Sequence, residues 1–235
     1  MPPVIYETPF DALFDVFDGA VVMVGGFGHV GHPHNLVRAL RDRSVKNLTI
    51  IANNIGLGDS LDLLAEAGQI KKFIGSFPVR ASRERMTHFE RLFREGLAEV
   101  EITPQGTMVE RIRAAGAGIA AFYTPVGVGT VVEQGKEKRA FNGREYILET
   151  ALHADFALIK AYKADRLGNL IYRRTARNFN PIMATAARVT IAEVEEVVEP
   201  GELDPEAIVT PGIYVDRIVI CPRDYNDPAI FQTWD

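Results

Sequence analysis

Residues 18–33, Asp-Gly-Ala-Val-Val-Met-Val-Gly-Gly-Phe-Gly-His-Val-Gly-His-Pro, run an apolar segment into a glycine-rich turn, and the closing proline suits the first turn of a helix. Gly25, Gly26 and Gly28, with Phe27 between them, admit positive φ and close approach of a ligand. The helix N-terminus behind them favours an anion or a developing oxyanion. An ordinary tight β-to-α turn uses the same residues, so the chemistry has to be argued from what the chain places beside them.

Read literally, Gly26-Phe-Gly28-His-Val-Gly31 is a dinucleotide fingerprint, which requires Asp or Glu about twenty residues on to hold the ribose. The next apolar segment, Leu48-Thr-Ile-Ile-Ala, ends instead in Asn53-Asn54-Ile-Gly56, and neutral amides there disfavour a nicotinamide cofactor. His29, His32 and His34 crowd the turn with no Asp, Glu or Cys between them, a spacing outside the usual zinc patterns. No metal is expected, and the three histidines read first as structural. Cys221 follows Ile218-Val219-Ile220 and precedes Pro222, the setting of a buried strand-end thiol. No Gly-x-Ser-x-Gly occurs, so the chain is expected to carry no catalytic nucleophile of its own. Gln105 stands where the segment ending at Ile102 gives way to a helix. The glycine turn, Asn53-Asn54 and Gln105 all follow strand-like runs, which in a parallel sheet gathers them along one rim. An uncharged rim of N–H and amide donors suits a carboxylate or a thioester carbonyl.

The elements that must position these residues alternate through the first half: strands at 20–24, 47–52, 72–76 and 98–102, helices at 34–43, 60–67, 83–94 and 105–115. That alternation predicts an α/β fold, a mainly parallel sheet with helices on both faces. Met86, Phe89, Leu92 and Phe93 form a core stripe at helical spacing. Between 116 and 150 glycines multiply, and Asn142-Gly143 separates two strand-like runs, the strongest short hairpin signal. A small antiparallel hairpin excursion is expected there, packed on the main sheet. Strands resume at 155–162, 169–173, 189–198 and 214–220, with a short helix near 181–187.

With 235 residues, 47% of them hydrophobic, the chain is long enough for a substantial core, and a single domain over 1–235 is the expectation. A net charge of −5 argues against nucleic acid as a partner. The absence of an apolar run of spanning length argues against a membrane, and one cysteine fits a reducing cytoplasm. Segments 71–94 and 160–177 are basic and could contact phosphates or carboxylates, whereas the acidic run 193–206 reads as a solvated face.

Four stretches carry a resemblance spanning nearly the whole chain. They are Asp18 to Pro33; Thr-Pro-Gln-Gly-Thr (103–107) with Glu-Arg-Ile-Arg-Ala-Ala-Gly-Ala-Gly (110–118); Ala-Phe-Tyr-Thr-Pro-Val-Gly-Val-Gly-Thr (121–130); and 155–169 running on to Arg-Asn-Phe-Asn-Pro (177–181). In this order they resemble the A (alpha) subunit of family I coenzyme A transferases, of the 3-oxoacid type. The resemblance implies transfer of CoA from an acyl-CoA such as succinyl-CoA to a 3-oxo acid, acetoacetate or 3-oxoadipate. Coenzyme A is then a substrate, and no permanently bound cofactor is expected. It also implies a partner, the B (beta) subunit, whose glutamate in a Ser-Glu-Asn-Gly context becomes a glutamyl-CoA thioester. Glu66, Glu133 and Glu199 precede an x-Gly here but lack that flanking serine and asparagine. By carry-over, Gly25, Gly26, Phe27 and Gly28 line the site and polarise the acyl oxygen, and Gln105 binds the substrate carboxylate; Asn53 and Asn54 are secondary candidates. Arg80, Arg83 and Arg85 depart from the family pattern and are candidates for a second carboxylate. A CoA-ester hydrolase or isomerase on the same architecture, and a non-catalytic acyl-CoA or sugar-phosphate binding module, are the alternatives.

Overall fold

The structure, a computed structural model, describes residues 2–56, 60–78 and 86–221. In chain order the elements are β1 (Val4–Tyr6), α1 (Pro9–Ala12), β2 (Val21–Val24), α2 (His34–Asp42), β3 (Leu48–Ile51), α3 (Ser60–Glu66), β4 (Ile70–Gly75), α4 (His88–Arg94), β5 (Glu99–Ile102) and α5 (Gln105–Gly116). They continue with β6 (Ala121–Thr124), β7 (Lys138–Phe141), β8 (Arg144–Thr150), β9 (Ala154–Lys160), β10 (Lys163–Asp165), β11 (Leu170–Ile171), α6 (Asn180–Ala184), β12 (Ala187–Val194), β13 (Glu196–Val198) and β14 (Arg217–Ile220).

Eight strands form the main sheet in the order β1-β14-β12-β9-β2-β3-β4-β5, and every neighbouring pair is parallel. Its central strands are near-continuous apolar runs because both faces are covered. Val22, Val24, Ile50 and Phe73 pack on one face against Leu13, Leu36, Leu40, Leu64 and Phe89. Met23, Ile51 and Ile74 face the opposite way, onto Met108 and Ile112 of α5 and Met183 of α6. The period of two along each strand thus sorts the helices into two layers.

From β2 the chain builds outward through β3, β4 and β5; it then returns to β9 on the other side of β2 and builds the opposite way. The reversal falls between β2 and β9, and in open α/β sheets ligands bind beyond the carboxyl ends of the strands at such a point. The glycine turn leaves β2 at that place.

The expected hairpin is present. Asn142 and Gly143, at φ of 50° and 78°, turn β7 into β8, and β6 adds to make a three-stranded antiparallel sheet. Arg111 of α5 ties it down, its Nε donating to the Thr150 carbonyl at 2.9 Å. Several expectations need correction. The stripe of Met86, Phe89, Leu92 and Phe93 is core only in part: Phe89 is buried, Met86 and Phe93 are exposed, and α4 starts at His88, with 83–85 outside the described residues. The run 189–198 is two strands: β12 stays in the main sheet, while β13 joins β10 and β11 in a separate small sheet. The chain changes sheets at Glu195, whose N–H donates to the Tyr162 carbonyl. Residues 169–173 belong to that small sheet, not the large one. Finally, β1 and α1 have no counterpart among the expected elements; β1 is only three residues long and is held by its pairing with β14 at the sheet edge.

Candidate functional site

The turn after β2 is closed by a reciprocal pair, Phe27 N–H to the Val30 carbonyl and Val30 N–H to the Phe27 carbonyl, both 3.0 Å, over Gly28 and His29. Position 25 requires glycine for packing: a Cβ there would lie 1.8 Å from Asn180 Oδ1. Gly28, at φ +60°, faces open space where a Cβ would meet nothing, so close approach to the turn is possible there. His32 is buried and donates from Nε2 to the Gly28 carbonyl at 2.7 Å, and its ring stacks on His34. These histidines brace the turn, and among the described residues no group of His, Cys, Asp or Glu could hold a metal ion.

The polar residues expected at the rim come together as one hydrogen-bonded chain. Gln105 Nε2 donates to Asn53 Oδ1 at 2.7 Å, and Asn53 Nδ2 donates to Asn54 Oδ1 at 3.0 Å. The same Asn54 oxygen accepts the Gly28 N–H at 2.9 Å, while Asn54 Nδ2 faces the Gly28 carbonyl at 3.3 Å. The Asn53 carbonyl in turn accepts from Ser76 and Phe77 N–H, binding the ends of β3 and β4 together. Three strand ends and the glycine turn therefore share one amide network.

Not every donor expected to be bare is bare. The N–H of Gly25 goes to the Leu158 carbonyl, that of Phe27 to Val30 and that of Gly28 to Asn54. Among the described residues, the Gly26 N–H is the member of this run without a partner, which narrows the oxyanion expectation to it. The N-terminus of α2 is not open either. Pro33 sits at the N-cap and the helix starts at His34; Asn35 and Leu36 N–H donate to Glu193 Oε2 at 2.9 and 3.1 Å. Asn35 Nδ2 and Lys160 Nζ reach Glu193 Oε1 at 3.0 and 3.1 Å. Glu193, expected to begin a solvated acidic run, is 2% exposed. The chain's own carboxylate occupies the place first assigned to a ligand.

Helix α5 differs. Its N-cap is Pro104, which supplies no side-chain cap, and the first intrahelical donor is Met108. Among the described residues the N–H groups of Gln105, Gly106 and Thr107 have no acceptor, and the buried hydroxyl of Thr107 has no partner. Ser76 Oγ, at the end of the adjacent β4, is likewise buried and unpaired. An orphaned buried hydroxyl is costly, by about 1–3 kcal/mol, and marks a place where a ligand could complete the hydrogen bonding. Sequence reasoning passes over Thr107, Ser76, Glu193, Lys160 and Asn180. A usable signal exists for Glu193 and Lys160: each is a charge ending an apolar strand run, and parallel neighbours end together.

No activated nucleophile stands at this rim among the described residues. Burial, and then the charge of Glu193, pushes the Cys221 thiol up to about 12. Glu66 lies 3.9 Å from His88, Glu133 pairs with Lys138 at 2.8 Å and Glu199 with Arg166 at 2.6 Å, each away from the amide chain. Arg80, Arg83 and Arg85 lie outside the described residues. A hollow bordered by His153, Asp155 and Arg188 lies at the opposite edge of the sheet and gathers none of the expected residues. No helix among the described residues is long and apolar enough to cross a membrane.

Fold and site together define an α/β chain with a hydrogen-bonded amide rim beside a glycine turn at a parallel-sheet switch point. The chain belongs to the coenzyme A transferase family: the family model described as Coenzyme A transferase matches residues 6–220. Within that family it is a CoA-transferase chain of the alpha type. It is 53% identical over 215 residues to the A (alpha) subunit of a 3-oxoadipate CoA-transferase from Pseudomonas putida, covering 91% of this chain and 92% of that one. It is 54% identical over 206 residues to the corresponding subunit of a succinyl-CoA:3-ketoacid coenzyme A transferase from Xanthomonas campestris pv. campestris (strain B100), covering 87% and 83%. Among solved structures it superposes with a TM-score of 0.81 and 21% identity on an acyl-CoA transferase from Escherichia coli O157:H7, solved as a thioester complex with CoA. That likeness, in fold, covers 95% of this chain and 48% of the other.

Proposed function

We propose that this chain is the alpha subunit of a 3-oxoacid CoA-transferase that moves CoA from succinyl-CoA to acetoacetate or 3-oxoadipate, with the nucleophile supplied by a beta subunit. The observation that carries the reading is the Gln105–Asn53–Asn54–Gly28 hydrogen-bond chain at a rim that has donors but no nucleophile among the described residues. The partner's glutamate attacks the acyl carbon, and the CoA thiolate leaves to give an acyl anhydride. The thiolate then attacks the glutamyl carbonyl, releasing succinate and leaving a glutamyl-CoA thioester. The carboxylate of the 3-oxo acid attacks that thioester, and the expelled thiolate finishes on the new acyl carbonyl, freeing the glutamate. Splitting one exchange into such steps lowers each barrier.

In this cycle the Gly26 N–H faces oxygen where charge develops, a contact worth on the order of 3 kcal/mol. Gln105, held by Asn53, directs its remaining amide hydrogen and the open N–H groups of α5 at the substrate carboxylate. The 3-oxo acids differ in a second carboxylate, and Arg80, Arg83 and Arg85 are proposed to select for it.

The test is assay of the purified chain alone and with its partner, followed by mass spectrometry for a covalent CoA adduct. Transfer that requires the second chain, with the adduct on that chain, is the expected result; turnover by this chain alone overturns the reading. For substrate choice, kcat/KM for 3-oxoadipate should exceed that for acetoacetate and fall when Arg80, Arg83 or Arg85 is replaced by Ala.

A further inference from the structure

At the switch point the β2–β9 ladder stops one rung early. Val24 pairs with Leu158, and the Gly25 N–H donates to the Leu158 carbonyl. In a continued parallel ladder the next rung would be Lys160 N–H to the Gly25 carbonyl. Instead the Lys160 N–H donates to Asn180 Oδ1 at 2.9 Å. Asn180 is fully buried, and its Nδ2 donates onward to the carbonyls of Gly31 at 2.9 Å and Ala176 at 2.8 Å. Its amide is thus a wedge between two separating strands, replacing the missing rung with a side chain. The group it displaces is the side chain of position 25, which explains the glycine there. Asn178 holds the turn one residue outward: its Nδ2 donates to the Val30 carbonyl at 2.9 Å, while its Oδ1 accepts the N–H of its own neighbour Phe179 at 2.7 Å.

The glycine turn is therefore clamped from two sides. Asn54 grips Gly28 from the amide chain, and Asn178 and Asn180 grip Val30 and Gly31 from the start of α6. We propose that Asn178 and Asn180 are positioning residues for acyl transfer, which set where the turn, and with it the Gly26 N–H, stands relative to Gln105. Neither touches the reacting atoms. They act through the turn, and the inference rests on the reading of that turn as part of the acyl site.

The experiment uses the assembled enzyme of both subunits. Asn178→Ala should lower kcat about tenfold and Asn180→Ala about a hundredfold, the scale of an ångström-sized misplacement. KM for acyl-CoA should stay within about twofold of wild type, because these residues place the transition-state contact more than the ground-state one. The rate of forming the covalent CoA adduct in a single turnover should fall by the same factors, while the melting temperature of Asn178→Ala and its assembly with the partner remain as in wild type. Asn178→Ser, which keeps a donor, should recover part of the loss.

Gly28→Ala separates this inference from the reading beneath it, since its methyl enters the open space over the turn. Because φ +60° strains an alanine there, its melting temperature and assembly are measured beside its kinetics and must stay as in wild type for a defect to count. Unchanged kinetics in Gly28→Ala overturn the acyl-site reading. A kinetic defect in Gly28→Ala with wild-type kcat in Asn178→Ala overturns the positioning inference alone. So does a loss in Asn178→Ala that matches a loss of folded, assembled enzyme. If Asn180→Ala does not fold, Asn178→Ala and its serine rescue decide the matter.

Discussion

Helices α2 and α5 begin in the same way, behind a proline that offers no side-chain cap, at the carboxyl edge of the same sheet. Their first turns end differently. In α2 the His34 N–H donates to the His32 carbonyl, and Glu193 takes those of Asn35 and Leu36. In α5 the corresponding N–H groups of Gln105, Gly106 and Thr107 have no acceptor among the described residues, and the Thr107 hydroxyl is buried without a partner. The glycine-rich entrance is closed by the protein itself, and the entrance with one early glycine stays open among the described residues. A helix N-terminus has the same dipole in both places, so the field alone does not define a binding site. What defines it is whether the fold has already used those donors on itself.

Removing the internal anion is the most severe way to break this contrast. Glu193→Ala leaves the half-buried Lys160 ammonium and two helix N–H groups unpaired, and stability should fall by about 3–5 kcal/mol. Denaturant unfolding measures it, and a loss below about 1 kcal/mol would show that α2 is not closed by this carboxylate. Gln105→Ala addresses the open terminus with the opposite signature. Gln105 is exposed and its side chain makes a single hydrogen bond among the described residues, so the melting temperature should barely move. The kcat/KM of the assembled enzyme should nevertheless drop by about a hundredfold, as for the loss of a transition-state contact. Equal losses of stability and rate in both variants would erase the distinction.

Much of this architecture is legible locally. The β–α alternation, the Asn142-Gly143 hairpin and the gathering of Gln105, Asn53 and the glycine turn at one rim follow from periodicity, turn chemistry and the geometry of parallel sheets. What escapes is decided at long range. Glu193 caps a helix 158 residues earlier in the chain, and no feature near Pro33 announces that its donors are taken. Glu193 also opens a run of acids whose other members include the exposed Glu196 and Glu199, so composition alone groups it with them. Strands β1, β10 and β11 are two or three residues long and owe their existence to pairing, too short for any period to register. The occupied N–H of Gly28 is the same lesson at the site: its acceptor, Asn54, is itself a candidate ligand contact.

A gentler probe of the open terminus is Thr107→Val, which replaces an orphaned hydroxyl by a methyl of the same shape. Such a change is neutral or stabilising when the hydroxyl truly lacks a partner, because the buried oxygen no longer goes unsatisfied. A gain near 1 kcal/mol would raise the melting temperature by about 2–4 °C in a chain of this size. If that hydroxyl completes its bonding with the substrate carboxylate, KM for the 3-oxo acid should rise about tenfold, as for one hydrogen bond of about 1.4 kcal/mol. A lower melting temperature would mean that the hydroxyl is already satisfied and α5 is not open.

The smallest effect offers a direct reading of the charge at α2. Cys221 is the chain's only cysteine, and its N–H donates to the Val194 carbonyl next to Glu193. Desolvation comes first in raising the thiol from 9.0 to about 12, and the Glu193 carboxylate adds to it. Below pH 9 the thiol is neutral folded and unfolded, so its contribution to stability is fully present. Between 9 and about 12 the unfolded chain ionises while the folded chain does not, and that contribution is lost as the pH rises through the folded value. In Glu193→Gln the carboxylate's share disappears and the desolvation remains, so the thiol should titrate below its wild-type value yet above 9. Thiolate absorbance and the pH dependence of alkylation report this on one site without interference from other thiols of the chain. An unchanged titration in Glu193→Gln would mean that position 193 carries no charge in the native enzyme, and α2 would then be closed by hydrogen bonding alone.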